Sequence, residues 1–337
     1  MSFLYVKDQG ATIGVDGGYF VVKYKDSGDD MIRKIPSETL EYIAVFGGVH
    51  LTTVAIQKCL QNGIVISFFS KSGVYFGRIS STTKTNILRQ RKQFTLSGNT
   101  SFSLNLSKKL IKAKIKNQLV VLKRYMNNSI FRYEEIVKQM KDAEIKMDNC
   151  NSIPLIMGYE GNASRYYFSG LSKIIRSDFH FNGRSRLPPK DPFNSMISLG
   201  YTLLMHEIYS AIESKGLSPY AGFLHQDRER HPTLASDLME EWRAVLIDSL
   251  TLSLIQGNEV DIDMFQSNKE TGGVTLKDNS FNIFISKYEK KLRSDTKYLL
   301  YIDEKISYRR AIWQQVDLLT KAIEENDFDI YKPIHIR

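Results

Sequence analysis

The hydrophobic period of this chain changes near residue 80, and few folds accommodate such a change. Before it, short runs rich in β-branched and aromatic residues recur: Phe3–Val6, Ala11–Val15, Tyr19–Tyr24, Met31–Ile35 and Tyr42–Phe46. Asp8–Gly10, Asp16–Gly18 and Asp26–Asp30 supply turns between them. One helix is expected over Thr53–Gln61, stopped by Asn62-Gly63, with strands Ile64–Phe69 and Val74–Ile79 after it. Beyond the polar stretch 80–86 the apolar residues repeat every three or four positions, as helices require. The fold class expected is therefore α+β. A small N-terminal β-domain, β-sandwich-like with one helix, spans 1–79, a linker spans 80–86, and a larger all-α domain spans 87–337.

Composition narrows the function classes. Hydrophobic residues make up 42% and charged residues 25% of 337, which is ordinary for a globular protein and not for a disordered one. A formal net charge of +9 favours polyanionic partners over acidic ones. Two cysteines, Cys59 and Cys150, are too few for a disulfide framework or a zinc ribbon. With no apolar run long enough to span a bilayer and no signal-type N-terminus, the expectation is a cytoplasmic protein without membrane contact.

In the helical part, Ile111, Ile115, Leu119, Leu122 and Met126 make one stripe, and Lys109, Lys112, Lys116 and Lys123 cluster on its flank. That flank reads either as a solvated face or as a phosphate track. Pro154 is read as ending the preceding helix, with Glu160 at a helix start between Gly158 and Gly161, followed by Arg165, Tyr166 and Tyr167. An acid there serves the helix dipole or a ligand. The loop 182–194 is rigid and basic, and Arg184 and Arg186 suit bidentate phosphate contacts as well as plain solvation. His225 ends the apolar run Ala221–Leu224. After Pro232, a single helix is expected with Leu234, Leu238, Trp242, Val245, Leu246 and Leu250 as its buried stripe. Asp237 and Glu240 then fall about 60° apart, Glu240 roughly opposite the stripe and Glu241 bordering it. A histidine beside helix acids is a cation site in one reading and a satisfied core histidine in the other. A short hairpin near Gly272-Gly273 and helices over 281–292 and 307–324 complete the expectation.

Three stretches together carry a family resemblance: GYEGNASRYYF at Gly158–Phe168, RSRLPPKDPFNSMISLGYTLL at Arg184–Leu204, and GLSPYAGFLHQDRERHPTLASDLMEEWR at Gly216–Arg243. In this order they resemble the CRISPR-associated integrase and endonuclease family of spacer acquisition. Leu187 departs from it where many members carry a basic residue, and Ala244 where proline is frequent. The resemblance implies a metal-dependent DNA endonuclease that inserts short DNA fragments into the CRISPR array by 3′-hydroxyl attack on a phosphodiester. It implies Glu160, His225 and Glu240 as catalytic metal ligands, with Asp237 a supporting carboxylate. Two carboxylates and an imidazole suit Mg²⁺ or Mn²⁺ better than a closed zinc site. Arg165, Arg184, Arg186, Lys109, Lys112, Lys116 and Lys123 are the candidates for DNA phosphates. The implied partners are double-stranded DNA with accessible 3′ ends, the CRISPR repeat, a second copy paired through the β-domain, and the small ferredoxin-like second CRISPR adaptation protein. Two other readings compete: a tyrosine recombinase using Tyr167 or Tyr220, and a non-catalytic architectural DNA-binding scaffold.

Overall fold

In a computed structural model, residues 2–126, 133–296 and 302–336 are described, and the chain divides into two compact units, Met1–Thr85 and Asn86–Arg337. The first unit contains β1 (Ser2–Val6), β2 (Thr12–Asp16), β3 (Tyr19–Asp26), β4 (Asp29–Pro36), β5 (Leu40–Phe46), β6 (His50–Leu51), α1 (Thr53–Asn62), β7 (Val65–Phe69) and β8 (Tyr75–Ile79). One four-stranded sheet has the order β1-β5-β7-β8, the other β4-β3-β2-β6. Leu4, Ile43 and Ile66 of the first sheet share a core with Ile13, Phe20 and Val22 of the second. Ala55 and Cys59 of α1 join them. β1, β5 and β7 are parallel, which hairpin turns alone do not produce. The segment holding α1 carries the chain over from β5 to β7, as a parallel pair demands.

The second unit is built on α2 (Ile87–Ser97), α3 (Thr100–Met126), α4 (Glu134–Lys146), α5 (Ile153–Ser172), α6 (Pro192–Ser214), α7 (Thr233–Met239), α8 (Ser249–Gln256), α9 (Asp278–Arg293) and α10 (Tyr308–Glu325). Two-stranded ladders pair β9 (Phe265–Ser267) with β10 (Val274–Leu276) and β11 (Asp295–Thr296) with β12 (Ile306–Ser307), so the unit is mostly rather than wholly helical. The 27-residue α3 packs against α4, α5 and α7, and α6 packs against α7 and α10.

Three local expectations are corrected. Pro154 lies in the first turn of α5, where its missing N–H costs nothing, so it starts that helix. Glu160 consequently sits in mid-helix, not at a helix start. The helix expected from Thr233 to Leu250 is interrupted: α7 tightens at Glu240–Trp242, widens into a π-helical segment at Arg243–Asp248, and resumes as α8. All seven α7 residues are buried, so the helix has no solvent face on which an acid could point outward. Glu240 and Glu241 are both buried, with different partners. Glu241 accepts from Tyr331 and from the Ile334 N–H (2.7 Å), which fastens the C-terminal segment.

α6 runs so close to the π-helical segment that a Cβ on Gly200 would stand 2.5 Å from Ile247 Cγ2 and 3.0 Å from Phe284 Cζ. Gly200→Ala should therefore lower stability by about 1–3 kcal/mol despite its better helix propensity, read as a fall in the urea midpoint at unchanged slope. An unchanged midpoint would show that the helices separate freely there.

Candidate functional site

The chain from Phe223 to His225 wraps around one carboxylate. Asp237 Oδ2 accepts the N–H groups of Phe223 (2.6 Å) and Leu224 (2.9 Å), and Oδ1 accepts that of His225 (3.1 Å). Asp237 Oδ1 also lies 2.7 Å from His225 Nδ1. Gly222 makes the wrap possible, because a Cβ there would stand 2.7 Å from Asp237 Oδ2. With Nδ1 committed to a carboxylate, the imidazole presents Nε2, the arrangement usual for a metal-bound histidine. Burial by itself would lower the His225 pKa, but the hydrogen bond and charge of Asp237 outweigh it and raise it.

His225 Nε2 stands 3.9 Å from Glu240 Oε1. Glu240 is only 4% exposed and meets two cations: Arg243 Nη2 at 3.1 Å from Oε1 and Lys114 Nζ at 2.6 Å from Oε2. Burial would raise its pKa, but Arg243 and then Lys114 dominate and hold it at about 2. The same Lys114 ammonium contacts Glu160 Oε1, which also accepts from Ser164 Oγ at 2.7 Å. Glu160 from α5 and Glu240 from the end of α7 thus converge on one point, with His225 alongside.

Among the described residues no three His, Cys, Asp or Glu side chains are grouped closely enough to form a metal cluster outright. Lys114, from α3, stands between the two carboxylates instead. The donor set nonetheless fits a hard divalent cation: two carboxylates and one imidazole nitrogen. Glu240 Oε2, though in charge contact with Lys114, is buried without a well-directed hydrogen bond.

An open groove of about 480 Å³ begins at this point. Lys114, Arg165, Arg184, Arg186 and Arg243 line it against a single acid, Glu160. Arg165 and Arg186 are exposed, whereas Arg184 is fastened to Asn194 Oδ1 (2.8 Å) and Ser198 Oγ (3.1 Å). The lysine flank lies elsewhere in the pattern: Lys109 faces Asp329 (2.7 Å), Lys112 faces Asp148 (2.7 Å) and Lys116 faces Glu144 (3.4 Å). Lys123 is exposed. Tyr167 is fully buried and donates to Asp248 (2.9 Å), so its hydroxyl cannot reach a phosphate. Tyr220 lies beside Tyr209, hydroxyl to hydroxyl at 3.4 Å.

Comparison with known proteins now adds to this geometry. The sequence model described as CRISPR associated protein Cas1 matches residues 4–290. The chain belongs to the Cas1 family. A CRISPR-associated endonuclease Cas1 of Mycobacterium tuberculosis is 35% identical, covering 95% of this chain and 94% of that one. Among solved structures, a Cas1 protein of Thermotoga maritima superposes with a TM-score of 0.79 at 25% identity, covering 96% of this chain and 97% of that one. A casposase bound to its integration product shares the fold with a TM-score of 0.84 at 22% identity, covering 97% and 93%. The expected family, fold class and endonuclease activity therefore hold, and the scaffold and tyrosine-recombinase readings fall away.

Two charged groups at this cluster, Lys114 and Arg243, are not singled out by the sequence. Lys114 is spaced from Leu110 and Val121 as residues on one helix face are. A lysine on a buried face needs a carboxylate, and that requirement was its signal. Arg243 lies one turn after Glu240, and its guanidinium stands 5.1 Å from the Tyr201 ring, with Arg184 at 5.5 Å. The Tyr201 hydroxyl donates to Asp248 at 2.6 Å.

Burial raises the Asp248 pKa from its ordinary 3.8 to about 6, although the hydroxyls of Tyr201 and Tyr167 oppose the rise. The unfolded chain releases this proton near pH 4 and the folded chain keeps it until about pH 6. Stability is thus unaffected by this group below the lower value and falls as pH climbs to the upper one. Relative to Asp248→Asn, the wild type should lose stability between pH 4 and 6 and no further above, measured by urea unfolding at stepped pH. Parallel curves for the two proteins would contradict the assignment.

Proposed function

We propose that this protein is a divalent-metal-dependent DNA integrase, acting by attack of a DNA 3′-hydroxyl on a phosphodiester of the CRISPR array. The observation that carries the reading is the convergence of Glu160, Glu240 and His225 Nε2 beside a cationic groove that Glu160 lines. These three side chains would hold Mg²⁺ or Mn²⁺. When bound, such an ion offsets the charge that grows on the phosphoryl and leaving oxygens.

The chain's own groups do the rest. Asp237 holds the imidazole by Nδ1 so that Nε2 keeps its lone pair for the site. Arg165 and Arg186, exposed along the groove, bind DNA phosphates, and Arg184, half-committed to Asn194 and Ser198, shapes the wall. Lys109, Lys112 and Lys116 would each have to leave a carboxylate to do the same, so they contribute less. Exchange of one phosphodiester for another joins strands without an added energy source. With water as nucleophile the same arrangement cuts. Pairing of two copies through the β-domain, and assembly with a small ferredoxin-like second adaptation protein, complete the proposal.

Glu160→Gln and His225→Ala should each reduce strand transfer on a branched DNA substrate by about a hundredfold or more, since removing even an outer partner of such a site costs about 10–100-fold. Duplex affinity should stay within about twofold, because phosphate contacts carry it. EDTA should abolish turnover, and no covalent protein–DNA adduct should form. Full activity of either variant, or in EDTA, would refute the metal reading.

A further inference from the structure

Lys114 stands between the two carboxylates that would hold a divalent ion. Its Nζ is 2.6 Å from Glu240 Oε2 and also contacts Glu160 Oε1, with the side chain only 7% exposed. The two carboxylates come from different helices and are held together across this ammonium. An ammonium and a metal ion cannot both occupy the space between these two oxygens, and their like charges repel there.

We propose that Lys114 is the internal counter-cation of the metal-free enzyme and that a divalent ion displaces it from Glu160 and Glu240. The inference rests on the metal reading above and deepens it by naming what the ion must exchange with. Of the two cations on Glu240, Lys114 is the one built to leave. Arg243 engages the other oxygen, Oε1, and its guanidinium is stacked over Tyr201. A stacked, forked guanidinium is fixed, whereas an ammonium on a four-carbon stem swings readily. Lys114 also lines the open groove, so its charge has water and arginine-bound phosphate to turn toward rather than buried space. In the empty site it prevents Glu160 and Glu240 from repelling one another. In the loaded site that duty passes to the metal, and the ammonium is released on the side where DNA enters. Lys114 is thus a positioning residue that makes metal binding an exchange and not a simple addition.

The test is Mn²⁺ titration of the full chain, with free Mn²⁺ read by electron paramagnetic resonance, for the wild type, Lys114→Met, Lys114→Gln and Glu160→Gln. Thermal midpoints are recorded in EDTA and in Mn²⁺. Removing the competitor should tighten Mn²⁺ binding by about tenfold in both Lys114 variants, whereas Glu160→Gln should weaken it by at least about tenfold. Both Lys114 variants should melt lower than wild type in EDTA and gain more from Mn²⁺. A Lys114 variant that folds only with Mn²⁺ present supports the exchange equally. Unchanged or weaker Mn²⁺ binding in both variants overturns it and leaves Lys114 a fixed support, as does failure of both to fold even with Mn²⁺. If the wild type binds no Mn²⁺, the metal reading itself fails and the exchange with it.

Discussion

A charge buried without a partner is among the most costly things a fold can contain. The helical unit gathers four charges at one point: Lys114 from α3 and Glu240 from the end of α7 are buried, and Glu160 from α5 and Arg243 from the segment after α7 are partly exposed beside them. Neither buried charge is tolerable in its own element. Together the four are two cations and two anions in alternating contact, so the elements can pack only if they bring these side chains into register. The same requirement that fixes the packing of α3, α5 and α7 also fixes the geometry of the site. The interruption of the helix matters here, since it turns Glu240 to the charged cluster and Glu241 to the C-terminal segment. Local widening of this kind is frequent where helices carry function.

Around this cluster, two further layers set its chemistry. On one side the carboxylate of Asp237 gathers three backbone N–H groups and the imidazole, fixing His225 by its chain and by its ring. On the other side Tyr201, anchored to Asp248, provides an aromatic surface for Arg184 and Arg243. The oxygens of Glu160 and Glu240 thus lie beside a groove lined by the guanidinium groups of Arg165, Arg184, Arg186 and Arg243. Under the proposed function, the guanidinium groups would attract a polyanion and the paired carboxylates a divalent cation.

How much of this the sequence discloses depends on the range of the interaction. The longer strands before residue 80 and the Gly63 stop of α1 follow from local pattern, and they appear where that pattern puts them. The chain divides into its two compact units between Thr85 and Asn86. Parallel pairing of β1, β5 and β7 is set by a crossover, which no local period reports. Glu160, His225 and Glu240 were nameable only through three motifs taken together, since each alone suits a solvated or core role. Glu240 was expected to face away from the apolar stripe, but α7 is enclosed on all sides and the residue is buried. Lys109, Lys112 and Lys116 looked like a free basic flank because their partners, Asp329, Asp148 and Glu144, lie 28 or more residues away. Lys114 went unnoticed for the converse reason: an isolated lysine on an apolar face looks like a lapse in the pattern until its two acids are in view.

The account stands on Glu160, Glu240 and His225 sharing one cation. The most direct measurement is the anomalous scattering of Mn²⁺ in crystals of the wild-type protein. A single peak within bonding distance of an oxygen of Glu160, an oxygen of Glu240 and Nε2 of His225, with the Lys114 ammonium moved from between the carboxylates, is the predicted result. A Mn²⁺ peak elsewhere, with Lys114 still bridging Glu160 and Glu240, would contradict it.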